Sequence, residues 1–306
     1  SGQSIADIVD LLRCPVSHQP LGIAADGTPT IDGAAVPMAD TQPVLVNFDD
    51  SILDRDAVLG RNAVSLIDNR RQGRPWWKRL LLGESHVTPA SARDLVARLP
   101  DTAPVVLLVG GGTTSAGADV LYEADVRVVS FDVYASSHTD FVADAHHIPL
   151  KDQSVDAVWI EAVLEHVLTP SEVADEIWRV LKPGGIVYAA TPFLQPVHEQ
   201  AYDFTRFTES GHRWLFRRFE EIDRGVIAGP GTALFQQLRY GIGAAIGSRR
   251  IGARLAVPFF WLRFIDRLAA RDHASDAASA TYFMGRKSDV PLRPRDMPGV
   301  FSGVTR

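Results

Sequence analysis

The chain carries a single cysteine, Cys14, among its 306 residues. That excludes an internal disulfide and a zinc centre built from thiolates alone, and it fits a reducing compartment. Positive charge is not in excess either. Thirty-one Lys and Arg stand against 37 Asp and Glu, a net charge of −6, which argues against a dedicated nucleic-acid binder. No apolar run reaches the roughly 20 uncharged residues of a membrane span, and no apolar core of signal-peptide length follows the start. The opening Ser1-Gly2-Gln3-Ser4 lacks a methionine and reads as a remnant of expression. A cytoplasmic location is expected. Two catalytic signatures are missing as well. No Gly-Lys-Ser/Thr closes a glycine loop, which argues against nucleotide triphosphate hydrolysis, and no HExxH marks a zinc hydrolase.

What is present divides the chain. Apolar residues make up 46% and charged residues 22%, ordinary for a globular protein; the length admits one large domain with an appendage, or two domains. Residues 1–50 read as a small unit: a short helix in "SIADIVDLLRCPVSHQPL", a turn at Cys14-Pro15, and two short strands in "TPTIDGAAVPMADTQPVLVNF". Residues 51–100 read as a helical connector. There Trp76 and Trp77, beside Lys78 and Arg79, are assigned to packing ahead of a substrate rim, because tryptophan is mostly buried.

From residue 101 strands alternate with helices. "PVVLLVG", "VRVVSFD", "SVDAVWIEAV" and "GGIVYAATPF" have the apolar character of buried parallel strands, and "PSEVADEIWRVL" has helical spacing. This pattern implies an α/β fold with a doubly wound, Rossmann-like sheet, with ligands beyond the carboxyl ends of the strands. Residues 231–275 break the rhythm as a helical insertion, apolar but interrupted by arginines from Arg239 to Arg271. A lid, a homodimer surface and a membrane-surface helix are its readings, in that order. "ATYFMGRKS" supplies a last strand, and the tail 289–306 is expected to be flexible.

The run "VVLLVGGGTTSAGADV" breaks on Gly110, Gly111 and Gly112. It matches the dinucleotide pattern G-x-G-x-x-G only in part, because Ser115 stands at the third glycine. Asp132, closing "VRVVSFD", is placed to accept two ribose hydroxyls. Nicotinamide and S-adenosylmethionine enzymes share both features, so these residues alone leave a tie.

The stretch "DFVADAHHIPLKDQSVDAVWIEAVLEHVLTPSEVADEIWRVLKPGGIVYAATPF" breaks it. It resembles the class I S-adenosylmethionine-dependent methyltransferases of the broad small-molecule type, segment by segment over about residues 104–212. The resemblance implies S-adenosyl-L-methionine as cofactor. By it, Gly110, Gly111 and Gly112 bend beside the methionine moiety, and Asp132, with Val133 next to it, holds the ribose. Asp144 with Ala145 receives the adenine amino edge, and Glu161 lies near the methionine end. Two positions depart from the family pattern: Leu108 stands where an acid is usual, and Thr114 where a glycine is usual. Residues 1–50 resemble a Trm112-like zinc ribbon in which Ser17 replaces the second cysteine, which implies a ribbon-like segment without metal.

The chemistry is expected in "LQPVHEQAYDFTRFTESGH", which leaves the carboxyl edge of the sheet. Neutral imidazole can take a hydroxyl proton near neutral pH, so His198 is the expected base, oriented by Glu199 or Asp203, with Glu161 as the alternative base. Tyr202, Asp203 and Arg206 are expected to meet the acceptor, and an Asp203–Arg206 structural ion pair is weighed evenly against that role. His166 in "LEHV" is read as a helix-packing residue. A hard divalent cation such as Mg²⁺ on His198, Glu199 and Asp203 is the metal alternative.

Relatives with a loop of this type decorate sugars, so the resemblance implies an O-methyltransferase acting on a sugar or oligosaccharide precursor. The runner-up is carbon or nitrogen methylation of a quinone, a lipid-like acceptor or tRNA. A non-catalytic docking protein of the same fold is the reading from a different class.

Overall fold

The structure, a computed structural model, describes residues 4–60 and 86–303. The Trp76–Trp77 rim with Lys78 and Arg79 lies outside the described residues. Ser4 and Asp7 form a reciprocal capping box on the short helix α1 (Ile5–Ile8). Strands β1 (Gly22–Ile23), β2 (Pro29–Ile31) and β3 (Ala34–Ala35) make a small antiparallel sheet. Strands β4 (Met38–Ala39) and β5 (Gln42–Leu45) follow, then α2 (Arg55–Leu59) and α3 (Val87–Ala97).

The central elements are β6 (Val105–Val109), α4 (Ala116–Glu123), β7 (Arg127–Asp132), β8 (Phe141–Ala143), β9 (Val155–Glu161), α5 (Pro170–Val180) and β10 (Leu181–Pro192). The chain continues through α6 (Glu209–Leu215), β11 (Phe219–Ala228), α7 (Pro230–Ile246), α8 (Arg249–Leu255), a 3-10 stretch (Val257–Arg267), α9 (Arg271–Asp276) and β12 (Ala280–Lys287).

Nine strands form one sheet in the order β11-β12-β10-β9-β6-β7-β8-β5-β4. Strands β5 to β10 run parallel where they pair, and β12 is antiparallel to both β10 and β11. The strand order reverses between β6 and β9, so the crevice for ligands opens beyond Val109 and Glu161.

β6 is apolar at every position because both faces of the sheet are covered. Leu107 and Val109 face a core shared with Val173, Ile177 and Val180 of α5. Val106 and Leu108 face the opposite core, with Leu95 of α3, Leu121 of α4, and Trp159. Trp159 and Tyr188, both fully buried, stack with centroids 3.8 Å apart.

Several sequence expectations are corrected. Residues 22–45 hold five short strands where two were expected, and the segment is not a separate unit. β5 extends the large sheet through Val44↔Val142 and Leu45↔Ala143, and Ile8, Leu12 and Leu45 pack into the α5-side core. β11 was not anticipated. It is an edge strand whose Glu220, Glu221, Asp223 and Arg224, together with two register shifts against β12, leave no clean strand period in the sequence. The tail expected to be flexible folds back on α6: Leu292 N donates to Arg217 O at 2.7 Å, and Ser302 Oγ to Glu209 at 2.5 Å.

The insertion is helical, as its spacing implies. α7 opens with a proline and no side-chain cap of its own; Asp266 from the 3-10 stretch supplies one, accepting from Gly231 N at 2.6 Å and from Thr232 Oγ1 at 2.5 Å. The insertion leaves the sheet after Ala228 and returns at Ala280, which pairs with both Ala228 and Pro192. It is therefore rooted at the carboxyl edge. No described helix is long and apolar enough to cross a membrane.

Candidate active site

The glycine run turns the chain sharply at the end of β6. Gly110 has φ +77°, and a Cβ there would stand 2.3 Å from Val163 Cγ2, so both the backbone and the space demand glycine. Gly110 N and Gly111 N both donate to Phe131 O at 3.0 Å. Gly112 N donates to Asp132 Oδ2 at 2.8 Å, and Val133 N to Asp132 Oδ1 at 2.7 Å. At the far end of the loop, Ser115 caps α4 and donates through Oγ to Glu161 Oε2 at 2.8 Å. The loop is thus tied to β7 on one side and β9 on the other.

Asp132 is half-buried, and burial raises its pKa to about 6 against the pull of its two amide donors. A carboxylate offers about four lone-pair sites. Two are taken, which leaves room for the two hydroxyls of a ribose. Val133 is exposed beside it. The departure at Leu108 has a packing reason: the residue is buried in the α3–α4 core.

Asp144 caps a 3-10 turn at Ala145–His147. Its Oδ1 accepts from His146 Nδ1 at 2.6 Å, and its Oδ2 from Ser51 Oγ at 2.5 Å. Burial pushes its carboxyl up, but the His146 and Ser51 bonds outweigh this and the net pKa is lowered. The Asp144 bond raises the His146 pKa in turn. Because Ser51 directly follows the first segment, the chain just after that segment reaches the expected adenine position. Ala145 is buried behind it.

The loop after β10 holds the acceptor-side residues. Arg206 clamps Asp203 with both Nη atoms, Nη2 at 2.8 Å from Oδ2. Burial would raise the Asp203 pKa, but Arg206 and the backbone N–H of His198 hold it at about 2. This pair closes the loop, the structural reading weighed evenly against acceptor contact. Asp203 is also the carboxylate that orients His198, accepting from its backbone N at 2.8 Å and lying 3.4 Å from Nδ1. Glu199 starts the next turn, its carbonyl accepting from Tyr202 N. The metal alternative of His198, Glu199 and Asp203 fails for the same reason, since Asp203 is committed to Arg206. Tyr202 is 53% exposed and open to an acceptor.

His212 is a core residue, 1% exposed among Phe207, Phe216 and Phe283, and burial lowers its pKa to about 3. His166 is not in a helix. It sits in the turn after β9, its Nδ1 2.6 Å from the Tyr202 carbonyl, with its ring edge-on to His198 at 5.1 Å.

One residue escaped the sequence reading. Glu165, 1% exposed, lies 3.6 Å from His166 Nε2 and 3.8 Å from His198 Nε2, and burial raises its pKa to about 8. The signal available was an acid between Leu164 and Val167 in an apolar "VLEHV", where burial is expected and a partner is required. Glu161 ends β9 and is tied to the glycine loop through Ser115; Glu165 and His166 follow β9, and His198 follows β10.

Residues 109–189 match the family model described as "Methyltransferase domain". The chain is 33% identical over 112 residues to malonyl-[acyl-carrier protein] O-methyltransferase of Marinomonas sp. (strain MWYL1), covering 32% of this chain and 42% of that protein. It is 33% identical over 137 residues to demethylmenaquinone methyltransferase of Clavibacter sepedonicus, covering 40% and 56%. It therefore spans about half the length of these relatives. Among solved structures, a chain of the complex between the Haloferax volcanii Trm112 methyltransferase activator and a methyltransferase superposes with TM-score 0.43 at 21% identity, covering 66% of this chain and 90% of that one. The stretch from the end of β6 into β10 thus matches a methyltransferase domain.

Proposed function

We propose that the protein transfers a methyl group from S-adenosylmethionine to a hydroxyl oxygen of a small-molecule acceptor of the sugar or oligosaccharide type. The observation that carries this reading is the glycine loop tied to Asp132, inside the matched span. The cofactor, when bound, supplies a methyl carbon on a positively charged sulfur. The acceptor oxygen attacks that carbon in line, the carbon–sulfur bond breaks, and the hydroxyl proton must leave.

The chain's own residues do the rest. Gly110 to Gly112 let the backbone come close to the methionine end. Asp132 accepts the ribose hydroxyls, and Asp144 with Ala145 frames the adenine. The acceptor oxygen is handled at Glu165, His166 and His198, with Asp203 fixing the His198 backbone; the group at work is a cluster, where the sequence suggested one imidazole. Glu161, bonded to Ser115, positions the loop. An insertion rooted at the same edge serves as the lid.

A second acceptor class is favoured by one observation. The insertion rooted at that edge exposes Leu234, Ile246, Phe259, Trp261, Phe264 and Leu268, an apolar surface that suits a hydroxyl carried on a quinone-like or lipid-like body. The same apolar face would also serve a homodimer.

The first experiment is calorimetry with S-adenosylhomocysteine, where no binding by the folded chain would overturn the reading. A methyl-transfer screen over sugars, phenols, quinols and tRNA then selects the acceptor class.

A further inference from the structure

Glu165 poses a problem that the fold does not solve internally. Its side chain is 1% exposed, and neither carboxylate oxygen has a hydrogen-bond partner among the described residues. A buried carboxyl without a partner costs several kcal/mol unless a cation or a donor arrives. Arg206 is nearby but is spent on Asp203.

Two imidazoles point unshared nitrogens at this carboxylate. His166 Nδ1 faces the Tyr202 carbonyl at 2.6 Å; a carbonyl only accepts, so Nδ1 carries the proton and Nε2 presents a lone pair. His198 Nδ1 has the Pro196 carbonyl and Asp203 Oδ2 both at 3.4 Å, against one donor, Arg206 Nη2, at 3.4 Å. Two acceptors favour the proton on Nδ1 there too, leaving Nε2 as the second lone pair. The ligand atoms of Glu165, His166 and His198 all lie within 4.8 Å of one another. Each imidazole is oriented through its other nitrogen by a carbonyl or carboxylate, the outer arrangement that histidine metal ligands characteristically have.

The loops are also fixed in place. Phe204 N and Thr205 N both donate to the Glu165 carbonyl, at 2.8 and 3.3 Å, which ties the loop after β10 to the turn after β9.

We propose that Glu165, His166 and His198 bind one first-row divalent cation. Three protein ligands leave further positions for water or an acceptor oxygen. Two nitrogens and one oxygen suit Mn²⁺, Fe²⁺, Co²⁺ or Zn²⁺ better than Mg²⁺, which prefers oxygen. The use of such an ion rests on the methyl-transfer reading: a Lewis acid would make an acceptor hydroxyl easier to deprotonate, the proton passing to water, with His198 serving as a ligand. The binding itself does not rest on that reading.

The test uses the full chain, stripped with a chelator and titrated with Mn²⁺ and with Zn²⁺ by calorimetry, with Mn²⁺ spectra by electron paramagnetic resonance. The expected result is one ion per chain, with affinity falling at least tenfold in Glu165→Gln and in His198→Ala and Mg²⁺ binding more weakly. Melting curves show that the variants fold, and S-adenosylhomocysteine affinity within about twofold of the wild type shows that the cofactor side is intact. Absence of stoichiometric Mn²⁺ or Zn²⁺ binding, or unchanged affinity in both variants, overturns the proposal. Failure of the methyltransferase reading appears separately, as loss of S-adenosylhomocysteine binding in the wild type.

Discussion

Lowering the pH should weaken cofactor binding through Asp132 well before an ordinary aspartate would respond. Burial raises this carboxyl to about 6. Ribose hydroxyls donate hydrogen bonds, so the ionised form is the one that binds, and affinity falls as pH drops through the raised value. With a pKa near 6, about one molecule in four is ionised at pH 5.5 and one in eleven at pH 5.0. The dissociation constant for S-adenosylhomocysteine should then rise roughly fourfold and tenfold, the latter about 1.4 kcal/mol. A carboxyl at its ordinary 3.8 would change affinity by less than a tenth over the same interval. Calorimetry on the full chain from pH 7.5 to 5.0 reads this directly. Asp132→Asn should bind weaker at pH 7.5 by roughly 1.5–3 kcal/mol, the range for hydrogen bonds to a charged group, and should lose most of the pH dependence. His146, whose pKa is raised by its bond to Asp144, is the other titratable group at the expected cofactor contacts, and any slope left in Asp132→Asn is assigned to it. A flat wild-type curve down to pH 5.0 in folded protein would refute the reasoning.

Four further outcomes are expected. His198→Ala should lower turnover by roughly 10²–10⁴-fold on the true acceptor with cofactor affinity nearly unchanged; normal turnover ends its role. His212 is neutral in the fold, with its pKa depressed to about 3, so its contribution is intact above about 6.5 and is lost as pH falls toward 3. By chemical denaturation, the wild type should drop about 2 kcal/mol more than His212→Leu between pH 7 and 5, and parallel curves would count against it. Gly111→Ala puts a Cβ 2.0 Å from the buried Ser130 Oγ and should cost about 1–3 kcal/mol of stability, together with a tenfold loss of cofactor affinity; a silent variant would mean that the loop yields. Cys14→Ser should retain whatever metal the wild type holds, and elemental analysis showing zinc lost with that thiol would restore a metal-binding ribbon.

The cofactor side of the site was legible because its residues are local. Gly110 to Gly112 and Asp132 each close a strand that the apolar runs reveal, and the strand order then brings them together. The acceptor side was legible only in part. His198 stood out in a polar loop, but Glu165 and His166 lie in a motif that reads as packing. Their meeting with His198 depends on β9 and β10 being neighbours, which local spacing does not encode. The two acceptor candidates Asp203 and Arg206 turned out to satisfy each other, because an aspartate and an arginine three residues apart in a half-buried loop are each other's nearest charge. β5 was missed as a member of the main sheet because a four-residue strand near a proline carries no information about a partner far along the chain.

That distant pairing bears on how the protein emerges from the ribosome. β5 ends at Leu45, and its partner β8 starts at Phe141. At 5–20 residues per second, roughly 5–20 s of synthesis separate the two strands, and more is needed for β8 to clear the exit tunnel. During that time Val44 and Leu45 lack their strand partner, although Val44 has Ala39, Val46 and Val58 of its own stretch to pack on, and the loop that the pairing closes is long, an entropic cost met only when β8 arrives. The first segment therefore has to wait, exposed, for a template made from the middle of the chain, and Ser51 cannot reach Asp144 until that template exists. In the nascent chain this segment settles only after the middle of the domain has been made, although it is made well before it.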